Sequence, residues 1–444
     1  MSESLSVLMD NRVAGMLTRL SGGRLRFDYD EAYREGADPV PLSVSMPIQI
    51  RTHSDRMVTP WLWGLLPDNE AVLRRWAREF HTSASSPYSL LATPVGADCA
   101  GAVSFVAPED VDDFLERKGD VTWLSESEVA QRLRELKADA TAWLGRSFTG
   151  QFSLAGAQSK TALLEEEGRW GVPTGGIPTS HILKPAVAGL DDHDLNEHLC
   201  LDAARRAGLI GARTRVARFE DQSAIVVDRY DRVRVGTQVV RIHQEDLCQA
   251  FAVPPSKKYQ NEGGPGHSDI VDLFRQSMTT RGSEDAIWRF VDALAWNWLI
   301  AGTDAHAKNY SLLLASDDIR LAPLYDVASA LPYGMHEKKL RFAMKLGGRY
   351  EVFTYRNPWP KAAEELGLAA ESVTTRVAEL TARAPDAFAE AAATPEVKAL
   401  KRDLTSKLVD LISERASRCA ALLDAEATAL DLDEEVPEAA SDRS

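Results

Sequence analysis

The chain has 444 residues, 44% of them hydrophobic and 26% charged, the balance of an ordinary globular protein long enough for two or three domains. Its formal net charge of −15 excludes a protein that neutralises many phosphates on its own, so any DNA contact needs a local basic patch or a basic partner. Cys99, Cys200, Cys248 and Cys419 are scattered without a Cys-x-x-Cys pair, which argues against a zinc site or a disulfide frame.

The N-terminus, Met-Ser-Glu-Ser-Leu-Ser-Val, has no basic region followed by a long apolar core, and no stretch reads as a membrane span; a cytoplasmic protein is expected. Residues 5–50 alternate short strand-like runs with turns, at Leu5–Met9, Gly15–Leu17 and Leu25–Tyr29, which predicts a small antiparallel sheet. Trp61 to Leu66 is an apolar segment closed by Pro67-Asp-Asn, and Glu70 to Phe80 reads as a helix with Leu73, Trp76 and Phe80 inward. Aromatic residues this dense suit a core better than a partner surface, because each buries a large area. Val111 to Leu144 carries helical spacings with mixed charge and is expected to cover the sheet or link it onward.

From Phe152 the pattern predicts strand, small-residue turn and strand through Ser153-Leu-Ala155-Gly156-Ala157-Gln158-Ser159-Lys160 to Leu164. Ala155, Gly156 and Ala157 leave room for backbone amides to approach an anion, although a plain hairpin turn fits equally well and no Walker sequence is present. Ser180–Lys184 reads as a strand stopped by Pro185, and Asp194 to Gly208 as the helix after it, with Glu197 one turn before Leu201 and so turned toward the core. A strand lysine paired with a glutamate from the following helix is how kinases hold nucleotide phosphates. Ser223–Val227 then runs into the polar edge Asp228-Arg-Tyr230-Asp-Arg232, either an ordinary strand end or the hinge of a two-lobed kinase.

Beyond Gln238 helical spacing dominates: Gln244–Phe251, Ile270–Met278, Ala286–Ala301, Pro360–Leu366 and Ala399–Leu423. Ile287, Val291, Leu294 and Trp298 line one face of a helix that Gly302 should end, after which Thr-Asp304-Ala-His306-Ala-Lys-Asn309 leads into the buried strand Tyr310–Leu314. Asp and Asn are common turn and capping residues, but an Asp and an Asn on a loop between buried elements also match a kinase catalytic loop, with Asp326 as a second carboxylate at the end of an apolar run. Two carboxylates on rigid supports are what a magnesium–nucleotide site requires. His306 takes a supporting part beside Asp304. The tail from Glu426 is too acidic and polar to fold and is expected to be disordered.

These segments resemble the HipA family of bacterial toxin kinases. The resemblance rests on Ser-Leu-Ala-Gly-Ala-Gln-Ser-Lys-Thr-Ala-Leu-Leu, His-Ile-Leu-Lys-Pro, Asn-Glu, Val-Asp-Arg-Tyr-Asp-Arg, Gln-Glu-Asp-Leu-Cys-Gln, Gly-Gly-Pro-Gly, Gly-Thr-Asp-Ala-His-Ala-Lys-Asn and Leu-Tyr-Asp, in that order. It implies an α+β, two-lobed protein-kinase-like fold with an α/β N-terminal half of small antiparallel sheets and an all-helical C-terminal half. The expected divisions are 1–110, 111–237, 238–425 and the acidic tail 426–444. It further implies ATP and Mg2+, a HipB-like antitoxin, operator DNA reached mainly through that antitoxin, and an aminoacyl-tRNA synthetase as protein substrate. By position, Asp304 would be the catalytic base, Asn309 and Asp326 the magnesium ligands, and Lys184 the phosphate-binding lysine. Ala155, Gly156, Ala157, Gln158 and Lys160 would form the phosphate-side loop, Asp228 and Tyr230 the hinge, and Ser153 the self-phosphorylated serine. Asp228 replaces a family Glu, and Ser159 stands where Glu is frequent, adding a possible phosphoacceptor. A pseudokinase corepressor is the alternative to an active kinase.

Overall fold

The computed structural model describes residues 3–424 except 11, 146–149, 188, 237 and 336; the acidic tail lies outside the described residues. The expected N-terminal strands form an antiparallel sheet of five, ordered Thr52–Ser54, Leu25–Tyr29, Arg12–Arg19, Glu3–Met9 and Val103–Val106. Alternation puts Val7, Leu17 and Phe27 on the face covered by the helices Asp55–Gly64 and Glu70–Glu79. Trp61 and Trp76 are fully buried there, while Phe80 is only half-buried.

A second antiparallel sheet has six strands in the order Thr214–Phe219, Gln222–Asp228, His181–Lys184, Thr161–Glu166, Arg169–Pro173 and Val121–Leu124. The last of these falls within a stretch expected to be helical; its four residues are too few to carry a periodicity, and the helix that follows, Glu126–Ala138, starts at a Ser125–Glu128 capping box. The first strand expected at Phe152 is also corrected. Residues 152–160 form an irregular strap pinned by isolated bridges of Ser153 to Cys99 and of Gly156 to Pro67, and regular pairing begins at Thr161. One apolar core runs through both sheets, from Leu5 to Val226.

A second core spans Leu195 to Cys419 and is built mainly from helices. Thr280–Ile300 runs through its middle with Ile287, Val291, Leu294 and Trp298 buried as their spacing requires. That helix ends at Ala301 in the left-handed conformation (φ 53°), one residue before Gly302. Gly302 is needed for another reason: a Cβ there would lie 2.2 Å from Asn297 Oδ1. Among the described residues the longest helix, Ala370–Ala392, is one the expected elements do not include; Val373, Val377, Leu380, Ala384 and Phe388 carry the helical spacing and are buried, with Phe388 stacked on Trp296 at 5.6 Å. Short strands edge the helical half at His243–Asp246, Ser311–Leu314 and Ile319–Leu321, and again at Arg341–Leu346 and Arg349–Glu351. Gln244–Phe251 accordingly splits into a strand end and the one-turn helix Leu247–Ala250. Among the described residues no helix is long and apolar enough to cross a membrane.

Candidate active site

A cleft of about 400 Å3 opens between the two cores. Ala155, Gly156, Ala157, Gln158, Lys160, Lys184, Asp228, Tyr230, Asp304, His306, Asn309 and Asp326 all line it. Ser153 does not.

The strand His181–Lys184 ends with Lys184 buried, and the first turns of helix His193–Arg206 bring Glu197 under it. Lys184 Nζ donates to Glu197 Oε1 at 2.7 Å and also to Asp326 Oδ1. Burial works against the ammonium, but Asp326 and Glu197 outweigh it and hold the Lys184 pKa well above its ordinary value. Asp326 responds in the opposite sense: burial pushes its carboxyl up, while Lys184 and Lys160 hold it far below the carboxylate range. Asp326 sits at φ 53°, uncommon for a residue other than glycine. Glu197 keeps Oε2 buried without a hydrogen-bond partner.

Across the cleft, Gly156 adopts φ 99°, and a Cβ there would lie 2.8 Å from Lys160 Nζ. Lys160 is buried, donates to the Ala155 carbonyl at 2.6 Å and lies over the Trp143 ring. Burial, opposed by Asp326 and reinforced by Lys184, lowers its pKa to about 8. An additional anion at this corner would stabilise its charge.

Asp304 is the open member, with its side chain 67% exposed. Tyr259 Oη donates to its Oδ1 at 2.7 Å, and His306 Nε2 lies 3.8 Å from the same oxygen. His306 is buried, and burial lowers its pKa to about 4, so it is neutral at pH 7. Asn309 Nδ2 donates to the Asp304 backbone carbonyl at 2.7 Å, closing the loop on itself. Among the described residues no cluster of three or more His, Cys, Asp or Glu side chains forms a self-contained metal cage. A magnesium ion carried by a nucleotide needs only one or two protein oxygens, and the Asp326 carboxylate and the Asn309 amide oxygen suit that set.

Asp228 closes strand Gln222–Asp228 with its carboxylate 3.4 Å from His181 Nε2 and 3.6 Å from Arg215, and Tyr230 is bonded to Gln244. The residues between and after them turn inward: Arg229, Asp231 and Arg232 are buried with Asp98 and Arg241 in one ionic cluster that fixes this connection to the N-terminal sheet.

Residues 5–106 match the HipA N-terminal domain, and residues 152–388, more than half of the chain, match the HipA-like C-terminal domain. The chain belongs to the HipA family. A putative kinase, Y4mE of Sinorhizobium fredii, is 34% identical over 392 residues, covering 88% of this chain and 91% of its own. The serine/threonine-protein kinase toxin HipA of Shewanella oneidensis is 27% identical, with 79% of this chain and 80% of the relative covered. The solved Shewanella oneidensis complex of HipA, HipB and operator DNA contains a chain that matches at TM-score 0.79 and 22% identity, covering 95% of this chain and 98% of that one. The fold is thus that of HipA, kinase-like in its two lobes.

The cleft also holds groups that the motifs did not single out. Asp68, Lys258 and Tyr259 line or edge it. Asp246, in the Gln-Glu-Asp-Leu-Cys-Gln segment but given no role there, also lines it, and burial that Lys308 only partly offsets raises its pKa to about 6. His193, with an unpartnered Nδ1, closes one side against Tyr333. Pro67-Asp68-Asn69 reads as a simple turn, and nothing in a single sequence tells a turn aspartate from one turned into a distant cleft.

Proposed function

We propose that the chain is an ATP- and magnesium-dependent serine/threonine protein kinase, the toxin of a type II toxin–antitoxin module acting in the cytoplasm. A HipB-like antitoxin is its partner, operator DNA is reached mainly through that antitoxin, and an aminoacyl-tRNA synthetase is the protein substrate whose modification halts growth. The reading is carried by one observation: the Lys184–Glu197 pair, Asp326, Asn309 and the exposed Asp304 converge on a single cleft.

Bound ATP with magnesium supplies the phosphoryl group. Lys184, fixed between two carboxylates, presents its ammonium to the nucleotide phosphates, and the strap from Ala155 to Lys160 offers backbone amides and a second cation. Asp326 and Asn309 would hold the metal. Asp304 orients the substrate hydroxyl and takes its proton; Tyr259 and His306 approach Oδ1, and we assign the other oxygen to the hydroxyl. His306 acts as a neutral prop, since its pKa is too low for it to carry charge at pH 7. The backbone of the connection from Asp228 to Tyr230 reads the adenine.

We also assign self-phosphorylation to Ser153. Its side chain is fully buried, its Oγ donates to the Leu65 carbonyl at 2.8 Å, and it lies outside the cleft. Buried in this way it becomes an acceptor only once the strap has moved outward, and we assign the transfer to a second molecule. A phosphate brings nearly two charges that this apolar setting cannot solvate; the strap is driven out and nucleotide binding is lost. Ser159, bonded through Oγ to the Ala140 carbonyl at 3.2 Å, is the competing acceptor on the same strap.

The test is incubation with labelled ATP, with and without magnesium, and phosphopeptide mass spectrometry of proteins captured with wild type and with Asp304→Asn. Metal-dependent transfer to a protein serine, absent in the variant, is expected. Wild-type protein that binds a HipB-like antitoxin but transfers no phosphate would point to the pseudokinase corepressor instead.

A further inference from the structure

Asp68 belongs to the N-terminal domain, yet its side chain lies in the cleft. Its two oxygens are divided between two lysines of the helical half: Oδ1 accepts from Lys308 at 2.5 Å and Oδ2 from Lys258 at 2.8 Å. Its backbone N–H donates to the Gly156 carbonyl at 3.0 Å, beside the bridge of Pro67 to Gly156. Lys308 is in the loop between Asp304 and Asn309. Lys258 accepts at its carbonyl from Ala307 N–H at 3.3 Å, and its neighbour Tyr259 donates to Asp304. One residue therefore touches the phosphate-side strap directly and the loop of Asp304 by two routes.

We propose that Asp68 is a positioning residue through which the N-terminal domain sets the Asp304 loop and the phosphate-side strap in register, so that this domain is part of the transfer machinery. The inference rests on the kinase reading above. The electrostatics favour a fixed geometry. Burial pushes the Asp68 carboxyl up, but Lys308 and Lys258 more than compensate and hold it below the ordinary range. The Lys308 side chain is 2% exposed, and its ammonium is bonded directly to Asp68. Without the Asp68 charge, two cations would share a pocket beside the phosphate corner and would move toward the nucleotide or apart from each other. The loop of Asp304 would move with them.

The experiment compares wild type, Asp68→Asn and Asp68→Glu by thermal unfolding, steady-state transfer and hydrogen exchange over residues 304–309. Asp68→Asn keeps the bond to Gly156, so KM for ATP should change less than about threefold, while kcat falls at least about tenfold through misplacement of the base. Exchange over 304–309 should quicken with that of 287–298 unchanged, and Asp68→Glu should recover part of kcat. A folded Asp68→Asn with wild-type kcat and wild-type loop exchange overturns the proposal, as does a kcat loss with no change in loop exchange. If Asp68→Asn does not fold, Lys258→Met replaces it, with the same signs and a smaller effect expected. If wild type transfers nothing, the kinase reading fails, and the exchange measurement still decides whether Asp68 holds the loop.

Discussion

Two ionic clusters lie buried in this molecule, and they do different things. At the connection between the lobes, Asp98 takes Arg232 at 2.8 Å, Arg229 at 3.2 Å and Arg241 at 3.3 Å, while Asp231 takes Arg229 and Arg232. Thr179 and the carbonyls of Cys99, Gly101 and Gly176 add further bonds, Arg232 Nε and Arg241 Nη2 are buried without a partner, and the charged side chains are at most 5% exposed. At the cleft, Lys184 is held equally firmly, but Asp326 is 30% exposed, Glu197 leaves an oxygen unpaired, and burial has lowered the Lys160 pKa to about 8. A charge network closed to solvent on all sides joins segments; one with an open side receives a ligand, and an unpaired buried atom occurs in both. Strength of pairing alone would not separate the two.

Breaking each cluster should therefore give opposite results. Asp98→Ala removes the carboxylate that three buried guanidinium groups share, leaving Asp231 to Arg229 and Arg232 and no ion-pair partner of that kind to Arg241 within the cluster, and should destabilise the fold by about 3–5 kcal/mol, visible as a large fall in the melting temperature or as insoluble protein. An Asp98→Ala melting curve like wild type would show the connection to be held by packing instead. Asp304→Asn and Asp326→Asn should each reduce transfer by at least about a hundredfold with melting temperatures within a few degrees of wild type. Lys184 keeps Glu197 as a partner in the second variant, which is why the fold should survive. Wild-type transfer in either folded variant would reduce these residues to caps.

The contrast also explains what could be read from residues alone. Lys184, Asp304, Asn309 and Asp326 stand at or beside the ends of strongly patterned elements and Glu197 in the helix after the Lys184 strand, so their placement and the inward turn of Glu197 followed from periodicity, while their meeting in one site followed from the family resemblance. Asp98 lies in a turn, and Arg229 and Arg232 have the look of an exposed strand edge; only tertiary folding pairs them across more than a hundred positions. Asp68 is hidden for the same reason. Helix Ala370–Ala392 did carry its signal, but Pro385 within it weakens that signal, since proline normally ends a helix. The strap 152–160 fails as a strand because its bonds are spent on the carbonyls of Asp98 and Leu65 and on the Asp68 N–H instead of on a neighbouring strand.

A smaller effect sharpens the open side of the comparison. The protonated form of Lys160 is the one that attracts phosphate, and burial has lowered its pKa to about 8 in the free chain. Nucleotide bound nearby favours the charged form and raises that value. Affinity should thus be constant below about pH 7 and fall by up to about tenfold per pH unit above about pH 8, until the pKa of the complex is reached. Calorimetric titration with ATP across that range gives the profile, and Lys160→Met should flatten it. A flat wild-type profile would place Lys160 away from the phosphates.

The smallest effect is expected where the two clusters meet. The Asp98 side chain anchors the closed cluster, while its backbone carbonyl accepts the Ser153 N–H at 3.0 Å and so tethers the strap of the open one. Ser153→Ala keeps that tether and the apolar packing and removes only the bond from Oγ to Leu65. The Leu65 carbonyl then lacks that donor, a loss of about 1 kcal/mol, which in a chain of this size moves the melting temperature by only a few degrees. Initial transfer rates should equal wild type, because the strap keeps its path from Phe152 to Lys160. Over longer incubations with ATP the variant should keep its activity while wild type slows as Ser153 is modified, and the gap should widen with protein concentration if transfer is between molecules. A Ser153→Ala protein whose initial rate is already low would mean that the hydroxyl itself shapes the strap; a variant that slows in step with wild type would move the inhibitory phosphate to Ser159.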